Sequence, residues 1–257
     1  MTSIRINKFL AERLGLSRRE SDEYIEQGRV VIDGNPARLG QAVTESSTIA
    51  VDGKTIDHKV AYRYIALNKP ANYVCSRKRQ GDSPTIYELI PDDMHELKPV
   101  GRLDRDSSGL ILLTNDGDFA HRMTHPSFYK TKIYQVALDK PLQPLHRQMI
   151  SDFGVMLEDG KSQFGITKGR VHPSASLRNE FETSAPPPEA RLAPQTETEQ
   201  SPTDDLYTIT MSEGRNRQIR RTFAALGYTV TQLHRIVFGN YSLGDIPAGQ
   251  WHELVIS

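Results

Sequence analysis

The chain is poor in cysteine, tryptophan and long apolar runs. A lone cysteine, Cys75, among 257 residues cannot close an internal disulfide, and no Cys/His cluster has metal-ligand spacing. A reducing compartment, no metal and no cofactor are therefore expected, with Cys75 as a small packing residue. No stretch approaches the length of a membrane span, and the opening MTSIRINKFL has no signal-peptide core, so the expectation is a cytoplasmic protein without a membrane partner. Net charge is missing too: 32 Lys and Arg balance 32 Asp and Glu. That balance argues against a uniformly basic nucleic-acid binder but allows a locally basic face. Basic residues gather at Arg18-Arg19, Arg77-Lys78-Arg79 and between Arg215 and Arg221, whereas acidic ones collect between Glu180 and Asp205.

One dense chemical segment stands out against this background. Residues 101–117 read GRLDRDSSGLILLTNDG. Leu110, Ile111, Leu112 and Leu113 form a short apolar block, and Asn115-Asp116-Gly117 behind it is a turn signal. The acidic segment is thus a loop leading into a buried strand. Packing fixes the backbone of such a loop while the side chain stays open to substrate, which makes Asp104 the leading candidate for the reacting group. Arg102 and Arg105 flank it and favour its ionised form near neutral pH. Asp106 reads as an ordinary turn residue.

The segment continues as GDFAHRMTHPS, is followed by KTKIYQVAL, and later by SEGRNRQIRRTFAALG. Three long motifs in this order resemble the ribosomal-RNA pseudouridine synthases of the RsuA/RluB/RluF type, and the resemblance covers nearly the whole chain. It implies that Asp104 is the catalytic aspartate of the GRLD motif and that Tyr134 stacks on the target base. It further implies that Arg220 pairs with the catalytic carboxylate and that Arg102 lies beside the flipped nucleotide. The arginines have a physical reason of their own: Arg217, Arg220 and Arg221 stand at a helix start, where residues three and four apart share a face. A guanidinium there can hold a carboxylate ionised and aimed, and Arg217 is counted among the RNA contacts.

Residues 1–60 read as a separate module. Ser17 with Glu20 three residues on forms a capping-box pattern, a helix should run from about Arg18 to Gln27, and Gly28 should end it before short strands. Two small helices followed by strands resemble the alpha-L RNA-binding module found at the front of these synthases, which implies that Ser17, Arg18 and Arg19 face phosphates. Residues 61–257 form the second domain. Tyr64 to Pro70 reads as a strand stopped by proline and matches the family's LNKP motif, with Lys69 as a further candidate RNA contact. Helices are expected from Phe119 to Met123, Leu142 to Phe153 and Arg217 to Leu226. Strands are expected at Tyr134–Leu138, Leu206–Met211, Thr229–Leu233 and Trp251–Val255, giving an α+β fold with a largely antiparallel sheet. Residues 172–205, with Pro186-Pro187-Pro188 and few apolar groups, read as a disordered insertion.

The function implied is isomerisation of a uridine to pseudouridine in ribosomal RNA or a pre-ribosomal particle, by a monomer. Arg220 in NRQIRR leans toward large-subunit RNA, whereas LNKPANYVCS points to the small-subunit branch. Two other classes compete: a non-catalytic RNA-binding assembly protein, and a hydrolase using Asp104 and Asp106 as an acid-base pair. The i, i+2 spacing of that pair does not naturally flank a scissile bond.

Overall fold

The structure, a computed structural model, describes residues 3–58, 61–170 and 205–256. Residues 172–204 of the expected insertion lie outside the described residues. The chain divides into two units: Met1–Arg63 with Asn115–Gly117, and Tyr64–Thr114 with Asp118–Ser257.

In the first unit, β1 (Ile4–Arg5) leads into α1 (Ile6–Arg13) and α2 (Arg18–Glu26), followed by β2 (Val30–Ile32), β3 (Asn35–Pro36), β4 (Ala42–Val43), β5 (Ile49–Val51) and β6 (Lys54–Thr55). The capping box forms: the Glu20 amide donates to Ser17 Oγ at 3.1 Å, and the Ser17 amide donates to Glu20 Oε2 at 2.6 Å. Such a cap stabilises a helix by about 1 kcal/mol. Gly28, at φ +71°, follows the last turn of α2 in the left-handed conformation that ends helices. A small core of Ile6, Phe9, Leu10, Ile25, Val30 and Ile49 joins the two helices to the strands.

The second unit is built on one large sheet. Its strands are β7 (Tyr64–Lys69), β8 (Lys98–Pro99), β9 (Ser108–Thr114), β10 (Lys132–Leu138), a β11–β12 hairpin (Val155–Leu157, Gly160–Ser162), β13 (Gly165–Lys168), β14 (Leu206–Met211), β15 (Val230–Phe238), β16 (Tyr241–Ser242) and β17 (Trp251–Glu253). The order across the sheet is β13-β14-β10-β15-β9-β7-β17, with β8 and β16 paired at the side and the hairpin apart. All pairs are antiparallel except β15 with β9. Helices α3 (Gly117–Thr124), α4 (Pro144–Gln148) and α5 (Gln218–Ala225) complete the chain.

The apolar block of β9 explains why the sheet is rigid where it matters. Ile111 and Leu113 enter one core with Ile65, Leu67, Tyr134 and Phe223. Leu110 and Leu112 enter a second core with Ala66, Phe119 and Phe238. A strand whose successive residues serve opposite cores loses the apolar-polar alternation of a half-exposed strand. Each such side chain contributes about 1.5–3 kcal/mol on burial, so β9 is clamped from both sides.

Several expected elements differ in extent, two of them for a reason the fold shows. The helix expected over Leu142–Phe153 is α4 followed by a π-helical turn at Met149–Phe153. The strand expected over Thr229–Leu233 runs on to Phe238 as β15, because it pairs with β10 along one edge and β9 along the other.

Candidate active site

Asp104 opens a tight turn whose end is the start of β9: the Ser107 amide donates to the Asp104 carbonyl at 3.1 Å. The three following carbonyls of this turn all point to donors. Lys69 Nζ donates to the Ser107 carbonyl at 2.6 Å, to Pro70 at 2.9 Å and to Arg105 at 3.4 Å. The Asn72 amide also donates to Arg105, at 2.6 Å, and Arg220 Nη2 donates to the Asp106 carbonyl at 2.9 Å. Buried carbonyls with partners are cheap and unpartnered ones are not, so the turn is fixed by what it would lose on moving.

Lys69 overturns one expectation. Its side chain is fully buried, with 0 % exposure, so it cannot reach RNA and instead anchors the turn from beneath. Burial pulls its ammonium from 10.5 down to about 8.

The arginines also sort differently from expectation. Arg220 was expected on Asp104, but its ion pair is with Asp106 at 3.3 Å, and its Nη1 donates to the Val230 carbonyl at 2.7 Å. Arg217 faces Asp104 instead, at 3.8 Å, while holding Asp106 with two bonds of 3.0 and 2.9 Å. Arg217 is the N-cap of α5, in a left-handed conformation at φ +47°, and the two guanidiniums converge on the one Asp106 carboxylate. Asp106 is therefore more than a turn residue. Its bond from Arg217 holds its carboxyl below the usual carboxylate range.

Tyr134 sits on β10 between Ile209 of β14 and Arg235 of β15, and it is 8 % exposed. The β10–β15 register shifts between Ile133 and Tyr134, an irregularity of the kind that re-aims a side chain next to a site. Its hydroxyl has no hydrogen-bond partner among the described residues. Asp104, Tyr134, Arg102 and Arg217 all line one cleft of about 730 Å³, within the range of small-ligand sites. Arg220 stands outside that lining, behind the turn.

One residue of the cleft, Lys132, goes unmarked in the sequence. It donates to the Ser212 and Glu213 carbonyls. Arg235 is 2 % exposed, donates from Nε to the Leu110 carbonyl and lies 4.7 Å over the Phe238 ring. His234 bonds Ser108 at 2.9 Å. The hairpin turn at Asp159 is clamped by Arg215 at 3.1 Å and Arg221 at 2.6 Å. Cys75 packs against the larger core and accepts from the Leu103 amide at 3.5 Å.

In the first unit, Ser17, Arg18 and Arg19 are exposed at the start of α2. The Ser17 hydroxyl is engaged as the helix cap, while Arg18 and Arg19 make no hydrogen bond or ion pair among the described residues. No group of three or more His, Cys, Asp or Glu side chains among the described residues is arranged to hold a metal, and no described helix is long and apolar enough to cross a membrane.

Residues 63–225 match the RNA pseudouridylate synthase family, and residues 4–49 match the S4 domain. The chain is 33% identical to a ribosomal small subunit pseudouridine synthase A from Pasteurella multocida, covering 98% of this chain and 96% of that protein. It is 34% identical to a dual-specificity RNA pseudouridine synthase RluF from Salmonella typhi, over 98% of this chain and 76% of that one. A solved pseudouridylate synthase has a TM-score of 0.61 and 29% identity, covering 98% and 96% of the two chains. With a buried strand carrying an aspartate turn into a cleft walled by tyrosine and arginine, the chain belongs to the RNA pseudouridylate synthase family and is an isomerase with an S4 domain at its front.

Proposed function

We propose that this enzyme isomerises a uridine of ribosomal RNA, with Asp104 as the catalytic carboxylate. The observation that carries the reading is the placement of a partly exposed Asp104, on a turn held by Lys69 and Arg220, in the same cleft as the Tyr134 ring. Uridine is hidden in stacked RNA and must be flipped out at a cost of a few kcal/mol, which stacking and backbone contacts offset. Tyr134 packs on the flipped base, Asp104 acts at the ribose-base linkage or the ring, and Arg217 faces the Asp104 carboxylate at 3.8 Å. Arg220 is a positioning residue acting through Asp106, and Arg102 lies beside the nucleotide. Ser17, Arg18 and Arg19 supply phosphate contacts, which release counterions and position the RNA. A cytoplasmic monomer suits this role.

The hydrolase reading loses its second carboxylate, because Asp106 is committed to Arg217 and Arg220. Asp104→Asn should abolish pseudouridine formation in a single-turnover assay while RNA binding survives, since the change is nearly isosteric but removes the charge. Comparable turnover by that variant would end the assignment. The target is a single uridine of large-subunit RNA near the peptidyl-transferase region, a reading supported by the NRQIRR run. A small-subunit target is the second reading, supported by the Pasteurella relative. Chemical mapping of pseudouridine in ribosomal RNA from a strain lacking the gene decides between them.

A further inference from the structure

The segment between α3 and β10 carries two large aromatic side chains that the fold does not bury. Phe128 is 44 % exposed and Tyr129 is 76 % exposed. The segment itself is well built. His125 caps the short 3-10 turn Pro126–Phe128 by accepting from the Ser127 amide at 3.3 Å, and the His125 amide donates to the His121 carbonyl at 2.9 Å. Phe128 lies edge-on to His121 and His125 at 6.0 and 6.3 Å, and the two imidazoles are 4.8 Å apart. Tyr129 follows at φ +46°, a conformation that costs a bulky residue some strain. It has no side-chain hydrogen bond or ring contact among the described residues.

Three features say what covers this edge. It is continuous with the catalytic cleft, because Thr124 and Pro126 line that cleft together with Asp104, Lys132 and Tyr134. It is basic: from Phe119 to Leu138 the chain has no aspartate or glutamate but has Arg122, Lys130 and Lys132. It is aromatic as well, and aromatic rings in a positive groove are how single-stranded nucleic acid is held without base-specific hydrogen bonds. Flipping a uridine also strips its neighbour of a stacking partner, leaving a bare base face beside the cleft.

We propose that Tyr129, with Phe128 beside it, is a second stacking platform that takes an unpaired base of the same RNA next to the flipped uridine. This rests on the reading of the cleft as a uridine site. The partner is a nucleobase face, so purines bind better than pyrimidines and sequence matters little. The platform adds affinity and holds the neighbour out of the cleft, while the isomerisation itself is left to Asp104 and Tyr134.

The test uses the full chain, Tyr129→Ala and Tyr129→Trp, with a short fluorescent oligoadenylate and the same strand made abasic as probes. Tyr129→Ala should raise Kd for oligoadenylate roughly 5- to 100-fold, Tyr129→Trp should restore it, and all three proteins should bind the abasic strand alike. On transcribed ribosomal RNA, Tyr129→Ala should raise KM while the single-turnover rate at saturating RNA stays unchanged. An unchanged Kd overturns the platform, as does an equal loss on the abasic strand, which would make the residue a backbone contact. Equal thermal midpoints confirm that the variants fold. Failure of the parent protein to form pseudouridine would count against the reading of the cleft and would leave the oligoadenylate comparison to judge the platform.

Discussion

Replacing Lys69 by methionine separates two effects that the fold sets against each other. Keeping a charged ammonium buried costs the folded state on the order of 3 kcal/mol, because burial takes Lys69 from 10.5 down to about 8. Methionine relieves that cost but strips the Ser107 and Pro70 carbonyls of their donor, at about 1–3 kcal/mol each. The Arg105 carbonyl keeps the Asn72 amide. Net stability at neutral pH should therefore change by no more than about 3 kcal/mol, whereas the Asp104 turn loses its anchor. A displacement of 1 Å can cost about a hundredfold in rate, so the single-turnover rate should fall at least tenfold. The pH dependence carries the sharper signature. Between pH 8 and 10.5 the folded state binds fewer protons than the unfolded chain, so stability rises with pH there. The increment is complete above the unfolded value and lost as pH falls through 8. Urea midpoints of both proteins at pH 7 and 9.5 should show the parent gaining about 2 kcal/mol relative to Lys69→Met. Parallel shifts in the two proteins would refute the buried ammonium, and an undiminished rate would refute its role as an anchor.

Other expectations can be checked more briefly. Tyr134→Phe should retain most single-turnover activity and Tyr134→Ala should lose it, because the role proposed for Tyr134 in the cleft is ring stacking; equal losses would shift the role to the hydroxyl. Gly109→Ala should destabilise the protein by about 3 kcal/mol or more, since φ is +102° and the new Cβ would fall 2.6 Å from the Arg235 nitrogen; a near-normal melting temperature would contradict that approach. Asp159→Ala should lower the rate by freeing Arg215 and Arg221 at the start of α5. Combined with Arg217→Ala it should add little to the loss from Arg217→Ala alone, and full additivity would show that Asp159 does not act through Arg217.

What could be read from the sequence was local. The apolar block at 110–113, its preceding acidic turn and the Ser17 capping box each carry their pattern within a few residues, and each forms. Lys69 was misread because its acceptors are backbone carbonyls at 70, 105 and 107, which any residue type can supply and no spacing announces. Asp106 reads as an ordinary turn residue because its two arginine partners lie 111 and 114 positions away along the chain. Arg220 is expected on Asp104 and Arg217 on RNA, yet both guanidiniums bond Asp106 and Arg217 also faces Asp104, because a helical face can be inferred from spacing and a left-handed cap cannot.

The place of β15 in the sheet has a consequence for assembly. On one side of it lie β10, β14 and β13, with Tyr134; on the other lie β9, β7 and β17, with the turn of Asp104. Asp104 and the Tyr134 ring thus belong to separate halves, and β15 is the gauge that sets their spacing, with Gly109 letting it close on Arg235 without a side chain between. It is also among the last strands to be made. A nascent chain that ends before Val230 has both halves with open edges and no working distance between them, so the cleft closes to its reactive width only when the late strand slides in.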